Sequence, residues 1–278
     1  MRTESATRKK WLISQDVWKE ISALLPPWPR HELCFGGRPR VSDYEAMSGI
    51  FFVLKTGCQW KALDATSICS SSTAHRRFEE WVKAGVFHSF WKVALERYDR
   101  IIGIDWRWLS LDCSFHKSPV AGSEKVGRNP TDRGKLGVKH GTVTDAIGIP
   151  IGITTAPANW HDSRLLIATL ESIPVRRPRP TTRKRQHLCL DKAFDSAAVR
   201  SVLSIYKFVP HIRKIGEEKK HLPQGGRSKP RRWVVERSHS WFNRKRAILI
   251  RWEKDPVNYE ALLHIEAALI CFQHLGIV

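Results

Sequence analysis

Leu109-Ser110-Leu111-Asp112 and Leu188-Cys189-Leu190-Asp191 share one pattern, L-x-L-D, an apolar run that closes on a carboxylate. Side chains of an extended chain alternate between two faces, so the leucines of each run point one way and its aspartate the other. Two strands of this kind present their acids where α/β sheets usually hold ligands, at carboxyl ends. The surrounding sequence agrees. From about residue 104, short apolar runs predict strands over 106–113, 137–144, 148–155, 187–190 and 207–212. The turn Asp145-Ala146 joins the second and third as an antiparallel hairpin. Helices are expected over 163–173, after a possible Asp162 cap, and over 196–206. Asp255-Pro256 opens a last helical run, 257–275, with Asp capping and Pro at the first helical position. Strand, hairpin, helix, strand, helix, strand and closing helices predict a mixed α/β layout.

The first hundred residues read differently. Ser42-Asp43-Tyr44-Glu45 is a capping box that opens a helix over 43–55, ended by Gly57. One turn is expected at 60–63, a second helix at 73–83, broken by Gly85, and a third at 87–100. Helix, turn, helix places Ser72, Thr73, His75, Arg76 and Arg77 near the start of a candidate recognition helix. An ordinary bundle with a solvated basic face explains the same residues less specifically. The division expected is 1–102, a small all-α helix-turn-helix-like domain, and 103–278, a mixed-sheet catalytic domain.

A third acid stands apart from the strands. In the segment from Arg231 to Arg246, helical spacing stacks Arg232, Glu236, Ser240 and Asn243 on one stripe, flanked by Trp233, Val234, Trp241 and Phe242. An exposed Arg232–Glu236 ion pair is the bland account, worth a few tenths of a kcal/mol. Asp112, Asp191 and Glu236 brought together would repel one another unless cations intervened. Mg²⁺ or Mn²⁺ resolves that conflict, and two such ions suit an in-line displacement at phosphorus. Asp145, Asp162 and Asp195 occupy turn or capping places that explain them, and His161 is read as a satisfied loop histidine.

Charge narrows the partner. The chain of 278 residues carries 47 Lys and Arg against 27 Asp and Glu, a formal net charge of +20. An excess of one sign on this scale points to an anionic polymer, with nucleic acid first. Two basic connections, 174–186 and 214–232, flank the acids and are expected as exposed loops. No apolar run long enough for a membrane span and no apolar signal core is visible, which predicts a soluble, cytoplasmic protein. Six scattered cysteines without C-x-x-C pairs read as small buried hydrophobes.

The order Asp112, Asp191, Glu236, with W-V-V-E-R-S-H-S-W-F-N-R at the last, resembles the DDE transposases of bacterial insertion sequences, specifically the IS5 family of the IS4-like group. G-R-P-R-V-S-D-Y at 37–44 and T-G-C-Q-W-K-A-L at 56–63 are similar to the helical DNA-binding part of that family. The resemblance covers nearly the whole chain. It implies an RNase H-like catalytic domain with the two aspartates on neighbouring strands and the glutamate on a following helix. It also implies binding of terminal inverted repeats and target duplex, cleavage and strand transfer, two Mg²⁺ or Mn²⁺ ions, a homodimer or larger synaptic assembly, and a place at the bacterial nucleoid. Arg232, Arg237, Arg244 and Lys245 become candidate phosphate contacts. The wider group often shows Y-x2-R-x3-E-x6-K, against which this chain has Lys229 at the tyrosine place and Asn243 at the lysine place. An RNase H-like nuclease or resolvase, or an inactive DNA-binding relic, would share parts of this pattern.

Overall fold

The computed structural model describes residues 11–27, 40–212 and 233–277. Four helices come first: α1 (Gln15–Ser22), α2 (Asp43–Thr56), α3 (Ser71–Lys83) and α4 (Val86–Ile101). Local chemistry sets their ends. Ser42 Oγ accepts from the Glu45 amide at 3.1 Å, and Gly57 closes α2 at φ +65°, a conformation that favours glycine. A single 3₁₀ segment, Trp60–Ala65, links α2 to α3.

The sheet follows. Its strands are β1 (Trp108–Lys117), β2 (Gly127–Arg128), β3 (Leu136–Thr144), β4 (Pro150–Pro157), β5 (Gln186–Leu190) and β6 (Phe208–Ile212). β1, β3 and β4 are antiparallel neighbours, β2 extends the β3 edge beyond β4, and β5 then β6 add parallel on the far side of β1. Three antiparallel strands continued by two parallel ones form the mixed sheet of the RNase H-like fold. The hairpin turn is where the sequence predicts it. Asp145, fully buried, accepts from the Ile147 and Ile149 amides at 3.0 and 2.8 Å, and burial raises its carboxyl to about 6.

The remaining helices are α5 (Leu166–Glu171), α6 (Ala197–Ile205), α7 (Trp233–Phe242), α8 (Arg246–Leu249) and α9 (Pro256–His274). Asp255 caps α9 through the Val257 amide at 2.8 Å. Residue 162 departs from its expected role: His161 caps the 3₁₀ turn Asp162–Leu165, while Asp162 pairs with the buried Lys139 Nζ at 2.5 Å. A lysine in a strand centre needs such a partner.

One continuous hydrophobic cluster runs from Ile13 through Trp91 and Leu111 to Phe272. α9 lies along α4, its face almost entirely buried, so the core crosses the boundary expected at 102. Of the cysteines described, Cys189 and Cys271 are buried and Cys58, Cys69 and Cys113 half-buried, all as free thiols. Cys34 and Arg232 lie outside the described residues, as does the whole of the 214–232 connection. Among the described residues, no helix is long and apolar enough to cross a membrane.

Candidate active site

Main-chain register brings the two aspartates together. β1 and β5 pair in parallel as Trp108 with His187, Leu109 with Leu188 and Ser110 with Cys189. Carried two residues further, the same register sets Asp112 opposite Asp191. The leucines on the other face are fully buried at Leu109, Leu111 and Leu188, and each contributes about 1.5–3 kcal/mol. A slip of one residue would bury the acids and expose these leucines, so the apolar face fixes the register. Each acid also anchors one oxygen on the next backbone amide: Asp112 accepts from Cys113 at 2.9 Å and Asp191 from Lys192 at 2.6 Å. Both side chains are half-buried.

α7 lies over this same face, packed on β1 and β3. Its N-terminal half docks on the hairpin turn: Ser238 Oγ donates to the Gly148 carbonyl at 2.5 Å, and Arg237 donates to the Ile147 carbonyl. Gly148 has φ +94°, and a Cβ there would stand 3.1 Å from Ser238 Oγ and 3.3 Å from the Val234 carbonyl. The other half of α7 sits on imidazoles. His116 from β1 and His140 from β3 stack at 3.9 Å between ring centres. His239 packs beside them and, like them, is desolvated, which pushes its pKa down to about 4, that of His116 to about 3 and that of His140 well below the usual value. The cluster is therefore uncharged near neutral pH. His116 Nδ1, His140 Nε2 and His239 Nε2 make no hydrogen bond among the described residues, whereas His116 Nε2 lies 2.9 Å from Ser114 Oγ, two residues beyond Asp112.

Glu236 stands between these two anchors. On the helical wheel it is about 60° from His239, on the flank turned away from Arg237 and Ser238. Glu236 is exposed. Residues 112, 114 and 116 alternate onto one face of β1, so Asp112 shares the face of His116 on which α7 packs; among the described residues no three His, Cys, Asp or Glu side chains stand where they would jointly hold a metal ion. The donor chemistry and the sidedness fit a hard divalent cation at the two aspartates.

Several candidate DNA contacts prove to be structural. Arg77 is 1% exposed, with Nη1 2.9 Å from Glu80 and Nε 3.5 Å from Asp43; it ties α3 to α2 and does not face a duplex. Lys245 pairs at 3.2 Å with Glu266, whose carboxyl burial raises to about 7. A lysine spent on a buried acid is not a phosphate contact. The Arg237 guanidinium lies between the rings of Trp233 and Trp241, at 5.0 and 5.1 Å, besides its bond to Ile147. Ser72, Arg76 and Arg244 are exposed; His75 is half-exposed and meets Trp60 edge-on at 5.0 Å. Lys139, His116 and His140 were not legible as site-forming residues. Only their polar character inside otherwise apolar strands marks them.

Comparison with known proteins identifies the family. Residues 109–271 match the family model described as a transposase DDE domain, which spans the whole sheet and the helices after it, and the chain belongs to that family. Residues 13–91, the helices α1 to α3 and part of α4, match a putative transposase of IS4/5 family. The putative transposase for insertion sequence element IS402 of Burkholderia cepacia is 35% identical over 157 residues, which is 55% of this chain and 72% of that protein. An uncharacterized 16.2 kDa protein of the same element is 37% identical over 123 residues, 44% of this chain and 82% of the relative. Among solved structures, the catalytic domain of Mos1 mariner transposase is 14% identical, covers 68% of this chain and 92% of its own, and gives a TM-score of 0.28. A piggyBac transposase synaptic complex with hairpin DNA is 11% identical, covers 98% and 75%, and gives 0.41.

Proposed function

We propose that this transposase binds the terminal inverted repeats of an insertion sequence, cuts at the element's ends and joins the freed 3′-hydroxyl to target DNA, with Asp112, Asp191 and Glu236 as its acids. The parallel register of β1 and β5, which continues to a pair of aspartates beneath the helix that carries Glu236, is the observation that supports this most. Asp112 and Asp191 would hold Mg²⁺ or Mn²⁺, two ions in all, with Glu236 as the third acid. Such ions would activate the attacking oxygen and stabilise the leaving one. The carboxylates supply the negative charge that keeps the ions in place. The uncharged imidazoles beneath α7 add no competing cation.

DNA approaches along the face that carries the acids. Ser72, His75 and Arg76 on α3, Arg244 after α7, and the basic stretches 174–186 and 214–232 contribute contacts, as does Arg232. Two ends and one target require at least a pair of subunits. Such a protein works in the cytoplasm, at the nucleoid.

Purified protein, a labelled inverted-repeat end and a target duplex test the reading. Cleaved and joined products are expected with Mg²⁺ or Mn²⁺ and none in Asp112→Asn. Iron(II) in place of Mg²⁺ should direct hydroxyl-radical scission of the polypeptide beside residues 112 and 191. Cleavage retained in all three acid variants would remove the proposed site, and cutting without joining would make the protein a nuclease.

A further inference from the structure

Away from the acids, a cavity of about 750 Å³ opens between the N-terminal helices and the segment joining α8 to α9. Its walls are unusual for this protein. Trp60 and Trp252 supply two indole surfaces, Trp252 being 62% exposed. Glu79, Glu253 and Asp255 supply carboxylates, in a chain whose formal net charge is +20. Glu253 is held in place by the Trp60 indole, which donates to it at 2.9 Å, so that donor is already engaged. At the base lies Asn258, 8% exposed, whose side-chain amide makes no hydrogen bond to another described residue. Its amide lines the cavity, where it can donate to or accept from a ligand.

The chemistry of the walls selects the ligand. Apolar and aromatic surface makes up most of the wall, three carboxylates give it its charge, and the nitrogens opposite them are His75, 3.9 Å from Glu79, and the exposed Lys254. A phosphate needs donors and positive charge, and finds carboxylates instead. A ligand rich in N–H donors, positively charged and carried on an apolar stem satisfies every wall: ammonium groups meet the acids and indole faces, and methylenes lie along the rings. We propose that this cavity binds a linear aliphatic polyamine, which bridges the N-terminal helices and the catalytic part of the chain. The site is separate from the acids of the sheet and does not depend on their assignment.

Calorimetric titration of nuclease-treated, full-length protein with spermidine, in about 0.15 M salt to screen exposed charges, tests this. One saturable site is expected, with a weaker response to putrescine and none to adenosine. Trp252→Ala, at an exposed position, and Glu79→Gln, at a half-exposed one, both outside the core, should each weaken binding about 10-fold. Glu96→Gln, on the solvent side of α4, should leave it unchanged. Absence of a saturable site, wild-type affinity in the Trp252→Ala/Glu79→Gln double variant, or binding of adenosine in preference to spermidine would each overturn the proposal.

Discussion

The aspartates and the glutamate are supported in different ways. Asp112 and Asp191 are held by strand register, and register is held by leucines that are fully buried on the other face. Moving either acid means breaking a ladder and exposing apolar surface. Glu236 rides on a ten-residue helix placed by side-chain packing: its Val234, Val235 and Phe242 are buried, and it meets the Gly148 turn and the histidine cluster. The strands thus form a platform set by main-chain register, and α7 is set on it by the docking of side chains, so the two supports can be perturbed separately.

The largest effects test the platform. Asp112→Asn and Asp191→Asn should each reduce cleavage of a labelled end by about 10³-fold or more, roughly 4 kcal/mol in the barrier, with unchanged thermal unfolding. Glu236→Gln should lose as much activity yet keep measurable Mn²⁺ affinity by calorimetry, because the aspartates are already paired. Equal loss of Mn²⁺ binding in all three would erase the distinction between platform and helix.

Gly148→Ala acts on the helix alone. A positive φ and the approach of Ser238, Arg237 and Val234 make a methyl group strained and tight there, so the turn or α7 must give by a few tenths of an ångström. The strain costs about 1–3 kcal/mol of stability. A rate lower by about 10- to 100-fold is expected, with Mn²⁺ affinity unchanged, whereas a rate like the parent's would show that the turn does not position Glu236.

Acidification probes the second anchor. An imidazole in the unfolded chain titrates near 6.5, while folded His239 and His116 titrate at about 4 and about 3. Between those values only the unfolded chain takes up the protons, so stability falls as pH drops below about 6.5. Asp145 and Glu266 oppose this. Their raised carboxyls, at about 6 and about 7, keep protons that the unfolded chain releases, which favours the fold at lower pH. Burial raises Glu253 as well, yet six depressed histidines, His88, His116, His140, His211, His239 and His264, outnumber these three acids among the described residues. The melting temperature should therefore fall by several degrees from pH 7 to pH 5, and His239→Leu should flatten that slope. A wild-type slope in this variant would remove His239 from the account.

The smallest effect is expected far from both anchors. Arg76→Ala, on the exposed side of α3, should weaken duplex binding modestly and lower the salt slope by about one, since one phosphate contact is lost. An unchanged slope would show that α3 does not meet the backbone there.

Much of this was legible in the sequence for local reasons. The Ser42 cap, the Asp145 turn, the Asp255-Pro256 start and the L-x-L-D strands each announce themselves within a few residues, because the physics that fixes them is short-ranged. Arg77 and Arg76 are neighbours with the same charge, and only tertiary packing buries one and exposes the other. Lys245 was likewise unreadable, since its partner Glu266 is remote in sequence. The histidines under α7 come from three elements, and no spacing rule joins them. Partners brought together by the fold leave no periodic trace.

The core that α9 shares with α4 has a bearing on how such proteins diversify. A recognition module attached by a linker is exchanged by cutting the linker, but here the last helix of the chain is a wall of the first module's interior. A new set of leading helices must bring, or co-evolve with, a matching tail. Where α3 reads the element's ends as proposed, change in the sequence read has to arise on its solvent side, residue by residue, and not by wholesale exchange.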